Sequence, residues 1–234
     1  MGYTISCKKY NLKMNSEYIA RINQYLPLLL SRIKAASNPI VINIQPETDA
    51  AINGCFYNVQ RKIVKDGGRA VYGWAIRPLK YMIEAERHAV WQAPDNTYLD
   101  ITPTIQPVSQ TLFVIDNGFI YDGQVLDNVR VNISENKVVD DWIFVCEAIY
   151  KLYSYAHRTA ENTITMPENL VPMLTGLEEF AKIFEPYLDA NGNYDCLCFC
   201  GRQLSYKNCH GLDLRQPLSE ALLTVENMMK KSEN

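Results

Sequence analysis

RAVYGWAIRPLKYMIEAERHAVWQAPDNTYLDITP, residues 69–103, is the stretch that decides the expected fold. The runs 69–78, 85–94 and 97–103 are rich in β-branched and aromatic residues, which is typical of strands. Pro94-Asp95-Asn96 stands between the last two runs and has the composition of a turn. Since short turns join antiparallel neighbours, this stretch predicts an antiparallel sheet in the middle of the chain.

The flanking sequence adds helices and further strands. Apolar residues recur at helical spacing in 16–36, and the segment 55–68 reads as a helix closed by Gly67-Gly68. Further strands are predicted at 39–45, 111–116, 118–123 and 128–134, and further helices at 140–160, 168–188 and 216–231. The pattern predicts an α+β protein with helices packed on an antiparallel sheet.

Composition narrows the function classes. The 234-residue chain has a net charge of -3 with 21% charged residues, which argues against nucleic acid as a partner. It lacks an apolar stretch of about 18 residues and a signal-peptide pattern at its start, so we expect a cytoplasmic protein without a membrane segment. Gly2 and Ser6 fit the loose N-myristoylation pattern, but a pattern this short is often matched by chance.

Three residues have the chemistry of a thiol catalytic site. Cys55 opens the helix that follows the strand 39–45, and a helix N-terminus favours a thiolate and can hold an oxyanion. His88 and Asp100 lie on the last two strands of the opening stretch, where a carboxylate could orient an imidazole. They are the ingredients of a Cys-His-Asp triad, although each has a simpler interpretation: a buried thiol, a strand histidine and a turn cap.

The pieces GCFYN, VYGWAI, HAVW and YLDITP, in that order within 54–103, resemble the transglutaminase-like branch of the papain-like cysteine fold. The resemblance implies a papain-like core in which Cys55 is the nucleophile, His88 the general base and Asp100 the orienting carboxylate. Two departures from the family are Val90, which displaces the aromatic residue after His-Ala, and a shorter interval between His88 and Asp100. Gln45 and Asn53 are alternative oxyanion donors.

Four of the seven cysteines and one of the three histidines crowd into residues 196–210. Three alternating cysteines are followed, after a loop, by Cys209-His210. Three thiolates and one imidazole complete a closed tetrahedral zinc site, which leaves no open position for a catalytic water. In a reducing compartment such clusters are metal sites more often than disulfides.

The segment CFCGRQLSYKNCHG, 198–211, is similar to the SEC-C motif. The resemblance implies that Cys198, Cys200, Cys209 and His210 bind a structural zinc ion and that the module docks to a protein partner. A polar segment near residue 190 then separates a core of residues 1–190 from a zinc module at 191–214 and an amphipathic helix at 215–234.

The sequence leaves two function classes. In the first, Cys55 attacks an amide of a protein or peptide substrate, so that the chain is a peptidase, an amidase or deamidase, or an acyl transferase. In the second, the core is a non-catalytic scaffold whose zinc module docks to a protein. Cys7 and Cys146 are expected to be structural, and His157 to be a surface residue on a helix.

Overall fold

The computed structural model of the chain describes residues 16–105, 108–160 and 163–232. The acylation pattern at Gly2 and the thiol of Cys7 lie outside them. The chain divides into two compact units. Of the described residues, the first unit, which we call the barrel unit, comprises 16–105, 108–124, 128–133, 158–160 and 163. The second, which we call the helical unit, comprises 125–127, 134–157 and 164–232.

Helices and strands are mixed along the described chain. The helices are α1 (Ser16–Arg32), α2 (Cys55–Asp66), α3 (Lys137–Tyr153), α4 (Val171–Asp189), α5 (His210–Asp213) and α6 (Arg215–Ser232), with 3-10 turns at Glu168–Leu170 and Tyr206–Asn208. The strands are β1 (Ile40–Ile44), β2 (Arg69–Pro78), β3 (Met82–Gln92), β4 (Tyr98–Asp100), β5 (Gln110–Ile115), β6 (Val129–Asn132), β7 (His157–Ala160) and β8 (Thr163–Thr165). The predicted α+β class is confirmed.

Strands β1 to β5 close into a small barrel. The order around it is β2-β5-β1-β4-β3, and β3 pairs back with β2 to complete the circle. Strands β1 and β4 are parallel, whereas the other neighbours in the circle are antiparallel. Strand β6 pairs with β3 outside the circle. Closure gives each of the five strands a hydrogen-bonded neighbour on both sides over part of its length, which leaves less strand edge exposed than in an open sheet.

The barrel has an apolar interior and two helix-covered outer patches. Because side chains alternate along a strand, each strand contributes to both faces. On the outside, α1 packs Leu29 and Ile33 against Trp74 and its neighbours, while α2 packs Val59 against Trp91. The interior cluster consists of Ile42, Val71, Ala75, Val90 and Phe113.

Gly73 of β2 allows the barrel to close tightly. A Cβ atom at this position would lie 2.1 Å from the carbonyl oxygen of Val114 and 2.8 Å from the Phe113 ring. Both neighbours belong to the adjacent strand β5, so neither can move without opening the β2–β5 pairing. Gly73 also pairs with His88 across the β2–β3 hairpin. The absence of a side chain here therefore leaves room inside the barrel beside His88.

The helical unit packs around aromatic residues and one buried carboxylate. The rings of Trp142 on α3 and Phe184 on α4 stack with centroids 6.4 Å apart. Asp141 accepts hydrogen bonds from the Tyr206 hydroxyl (3.1 Å) and from Nε of Arg215 (2.7 Å). Since Tyr206 is fully buried, the cysteine-rich segment is anchored on α3. The predicted boundaries at residues 190 and 214 stay predictions.

Two predicted elements are wrong. Residues 118–123, expected as a strand, form a turn and loop in which Asp116 accepts hydrogen bonds from the backbone N–H groups of Gly118 and Phe119. Asp-Asn-Gly is strong turn chemistry, and it ends the strand at residue 115. The helix predicted through residue 160 ends at Tyr153, and residues 157–160 form β7, paired with β8.

Candidate functional site

Cys55 is the first residue of α2, and the loop before it is held in place by one amide. The Asn58 side chain accepts a hydrogen bond from the Ala51 backbone N–H (2.9 Å) and donates to the Ala51 carbonyl (2.8 Å). It also donates to the Thr102 hydroxyl (3.2 Å). This buried amide ties the start of α2 to the chain just after β4, so Cys55 is held at the end of the strand that carries Asp100.

His88 and Asp100 form a hydrogen-bonded pair in the barrel. His88 Nε2 lies 3.0 Å from Asp100 Oδ2, and the two side chains are only 3% and 0% exposed. The β3–β4 register pairs Trp91 with Leu99, and its extension sets Asp100 across from Val90, two residues from His88 on the same face. The pair therefore lies diagonally across β3 and β4, which accounts for the short interval between the two residues in the sequence.

Asp100 is stabilised as a carboxylate. Burial alone would raise its pKa, but His88, the Thr102 backbone N–H and the Arg77 guanidinium together lower the pKa of Asp100 below its ordinary value. The N–H of Thr102 donates to Oδ1 at 3.0 Å, and Nη2 of Arg77 lies 4.0 Å from Oδ2. Arg77 belongs to no motif, so sequence inspection could not single it out, whereas Thr102 lies in the YLDITP piece but has no role assigned to it there.

His88 is stabilised as an imidazolium. Burial alone would lower its pKa, but the Asp100 carboxylate and the Cys55 thiol outweigh burial and raise the pKa of His88 well above 6.5. Nε2 is engaged by Asp100, while Nδ1 is buried and makes no hydrogen bond of ordinary geometry. Nδ1 is thus the nitrogen left for the thiol. Hydrogen bonds between catalytic groups are often long without substrate and tighten in the complex.

Aromatic residues lie close to Cys55. Phe56, next to Cys55, stacks on Tyr121 with centroids 3.8 Å apart and an interplanar angle of 11°. Tyr57 meets the Tyr121 ring edge-on at 6.1 Å. Burial, a hydrogen bond with Tyr57 and the nearby Cys55 raise the pKa of Tyr121. Tyr121 belongs to the segment wrongly predicted as a strand, so its approach to Cys55 was missed.

The oxyanion donor is not assigned by the geometry. Gln45 follows β1, its side chain is exposed, and its backbone N–H donates to the Asp100 carbonyl oxygen at 2.8 Å. Asn53 has a left-handed backbone conformation (φ 62°) two residues before Cys55. Both residues stay predictions, as do the unpaired N–H groups that a helix N-terminus offers.

The second candidate site is a Cys/His cluster in the helical unit. Its ligand atoms, from Cys198, Cys200, Cys209 and His210, all lie within 4.8 Å of one another. Sγ of Cys198 is 3.0 Å from Nδ1 of His210, and the Cys200 and Cys209 sulfurs are 3.4 Å apart. The edges of a tetrahedral zinc site measure about 3.5 to 3.8 Å from its usual bond lengths. These four residues could therefore hold a metal ion.

The protonation chemistry of the cluster fits a cation. Burial lowers the pKa of His210, so its ring is neutral at pH 7, as a metal ligand must be. The Arg202 backbone N–H lowers the pKa of the Cys200 thiol. Burial and the neighbouring thiols raise the pKa of Cys209 to about 11. A cation among the sulfurs would reverse this last effect, because it favours thiolates.

The backbone of the segment presents the ligands. The N–H of Cys198 donates to the Leu204 carbonyl (2.9 Å), which folds the loop back on itself. Gly201 has a φ of 80°, and its position directly after Cys200 allows the chain to turn there. The His210 ring stacks on Phe199 with centroids 5.0 Å apart. Cys196 lies outside the four-residue cluster, as the sequence predicts.

The remaining candidates are simple. Cys146 is buried in α3, and His157 is exposed, but His157 lies on β7 and not on a helix as predicted.

Among residues 16–105, 108–160 and 163–232, none of the helices combines the length and apolarity needed to cross a bilayer. Scans of the chain against protein-family models, curated proteins and solved structures found no significant match.

Proposed function

We propose that the barrel unit carries a thiol catalytic centre that acts on an amide of a protein or peptide substrate. Cys55 is the nucleophile, His88 the general base and acid, and Asp100 the orienting carboxylate. The observation that carries the proposal is the buried 3.0 Å contact between His88 and Asp100, with the Cys55 thiol close enough to raise the pKa of His88. Pairs of titratable groups with perturbed pKa values cluster at catalytic sites.

In the proposed mechanism, each of the three residues has one role. The proton of the Cys55 thiol is held on His88 Nδ1 as part of the imidazolium, and the sulfur attacks the amide carbon as a thiolate. His88 then returns the proton to the amide nitrogen as the C–N bond breaks, which leaves an acyl-thioester. Water or an amine, deprotonated by His88, attacks the thioester and regenerates the thiol. Asp100 keeps the ring oriented through Nε2 and stabilises the imidazolium throughout.

We extend the proposal to the fold family. A nucleophile at the start of a helix, followed by two strands that bring a histidine and a carboxylate together, is the arrangement expected of a transglutaminase-like, papain-like core. The proposal includes hydrolysis, deamidation and acyl transfer, which share the acyl-thioester. The first two pass the acyl group to water and differ in the amide that is cleaved, whereas acyl transfer passes it to an amine. We also propose a reducing, cytoplasmic compartment, which suits the thiol chemistry of both sites.

We propose zinc as the ion of the second site, with a structural role in a SEC-C module. A closed set of three sulfurs and one nitrogen suits zinc, and four protein ligands leave no position for substrate. A second candidate function, a scaffold that docks to a protein through this module, is favoured by the exposed apolar side chains of Leu197, Leu204 and Leu212 in and beside it.

Alkylation tests the proposed catalytic centre. Cys55 and Cys146 are 6% and 3% exposed, so they are matched in burial and differ in their neighbours. With iodoacetamide at neutral pH, followed by peptide mass spectrometry, we expect Cys55 to be modified at least about ten times faster than Cys146. His88→Ala should slow modification of Cys55 and leave Cys146 unchanged. Equal rates at the two thiols would reject the proposal and favour the scaffold.

A further inference from the structure

Arg77, on β2, belongs to no motif and yet makes three polar contacts inside the barrel. Its Nε lies 3.0 Å from Glu86 Oε2 on β3, and its Nη1 donates to the Thr111 hydroxyl on β5 at 3.2 Å. Its Nη2 lies 4.0 Å from Asp100 Oδ2 on β4. One guanidinium thus reaches carboxylates or hydroxyls on three other strands of the barrel.

The pairing of the strands places these groups on the inner face. Arg77 stands two residues after Ala75, and Glu86 stands two residues before His88, so both share the inward face with their neighbours. Arg77 therefore lies beside the His88–Asp100 pair on the inner face of the barrel. Solvent screens its charge less there than it would at the surface.

We propose that Arg77 is the positioning residue of this site: Glu86 and Thr111 hold its guanidinium, which faces Asp100 and keeps the carboxylate ionised and directed at His88. The inference rests on the proposed function for its catalytic meaning, but the electrostatic coupling exists whether or not Cys55 reacts. Arg77 touches no reacting atom in this arrangement and acts through Asp100.

The charges that face the pair can be counted element by element. Asp100 faces the His88 ring from β3, the Arg77 guanidinium from β2 and the Thr102 N–H from its own segment. His88 faces Asp100 and, from α2, the Cys55 thiol. Arg77 is the cation that offsets two carboxylates, Asp100 and Glu86. Glu86 also interacts with Glu84, whose carboxylate pairs with Arg130 of β6. Removing the Arg77 charge takes away the guanidinium that faces Asp100, so protonation of Asp100 should become easier.

Histidine NMR tests the inference on the whole chain. The chain has three histidines, so ¹⁵N-labelled histidine gives a simple spectrum whose His88 signal responds when Asp100 takes up a proton. We call the change of this signal at acid pH, caused by protonation of Asp100, the acid step. In Arg77→Gln, which keeps hydrogen-bonding groups but removes the charge, we expect the midpoint of the acid step to rise by about one pH unit or more. In Arg77→Lys the step should stay near its wild-type position because the charge remains.

Arg87 is the matched control. Its side chain is 18% exposed against 22% for Arg77, and it also pairs with a carboxylate, Asp116. Arg87→Gln should leave the acid step unchanged. If Arg77→Gln does not fold, the double variant Arg77→Gln/Glu86→Gln leaves no unpaired carboxylate and should show the same upward movement.

The inference is overturned if the acid step stays at its wild-type pH in the charge-free variant that folds. It is also overturned if Arg77→Lys moves the step as far as the charge-free variant does. The readout does not involve Cys55. An inert Cys55 together with a shifted acid step would therefore reject the proposed enzyme and retain the coupling. A reactive Cys55 together with an unmoved acid step would retain the proposed enzyme and reject the coupling.

Discussion

The two Cys/His sites differ in how the chain builds them. The metal-site ligands fall within residues 198–210, and a single folded loop brings them together. Cys55, His88 and Asp100 stand on α2, β3 and β4, and the pairing of strands decides whether they meet. Local spacing alone can specify the first kind of site. The second kind depends on strand register, because a shift of one residue would turn each side chain to the opposite face of the sheet.

They also differ in how charge is stabilised. In the barrel, two opposite charges stabilise each other away from water, and the pair needs no ion. In the helical unit, burial and the thiols of Cys200 and Cys198 raise the pKa of Cys209, and a bound cation could offset this effect. The charges of the His88–Asp100 pair thus balance each other, whereas a bound cation would balance the charges of the Cys/His cluster. Each of the following predictions tests that difference.

Metal binding should show the largest effect. Protein purified without added metal should carry about one zinc ion per chain, with an apparent binding free energy on the order of 10 kcal/mol that is coupled to local folding. Cys209→Ser should lose the metal, whereas Cys196→Ser, outside the cluster, should retain it. Metal analysis and titration measure both. A zinc content near zero in the wild type, with no uptake, contradicts the prediction.

Loss of the nucleophile should come next. Cys55→Ala should lower turnover of a reporter amide by about 10⁴-fold or more, equivalent to about 5 kcal/mol, because no other group can form the acyl bond. His88→Ala should be nearly as severe, and Asp100→Asn should retain more activity than either. Cys146→Ala serves as the control. Turnover that persists in Cys55→Ala would remove the catalytic interpretation of this site.

The pH dependence of stability should separate the two sites further. The raised pKa of His88 stabilises the fold fully below pH 6.5, and this contribution is lost as pH rises through the raised value. The lowered pKa of Asp100 contributes above pH 3.8 and is lost as pH falls through the lowered value. The pair should therefore stabilise the protein most between these two pH values, by about 1.4 kcal/mol for every tenfold change in proton affinity on folding.

Urea unfolding of the wild type and His88→Gln at several pH values measures this contribution. The difference between the two proteins should shrink as the solution becomes alkaline. The Cys196→Ser variant should show the same pH dependence as the wild type. A difference that grows with rising pH would mean that the ring is neutral in the folded protein.

The smallest effect concerns the other buried carboxylate. Asp141 is held by Tyr206 and Arg215, so its role is structural. Tyr206→Phe should lower the free energy of unfolding by about 1 to 2 kcal/mol, because Asp141 loses one donor. Tyr187→Phe, whose hydroxyl bonds lie at the exposed surface, should cost less. Thermal unfolding measures both, and equal losses would mean that Asp141 does not depend on Tyr206.

Several elements could be predicted from local sequence. The bounds of β2, 69–78, coincide with the prediction, and α2 begins at Cys55 and ends before Gly67, as expected. Strand β2 has strong alternation of side chains, and α2 begins after a glycine and ends at one. The errors at 118–123 and 157–160 arose where aromatic content suggested one structure while turn residues or weak helix formers decided another.

The amino-acid sequence by itself determined the α+β class, the bounds of β2, the start of α2 and the grouping of Cys198, Cys200, Cys209 and His210, because each depends on residues close together in the chain. Only the tertiary structure decided the closure of the barrel, the parallel pairing of β1 with β4, the diagonal contact of His88 with Asp100 and the approach of Arg77 and Tyr121. Those features depend on strand order and register between distant segments. A pattern of side chains along one strand reports which face is buried, but not which strand will lie beside it.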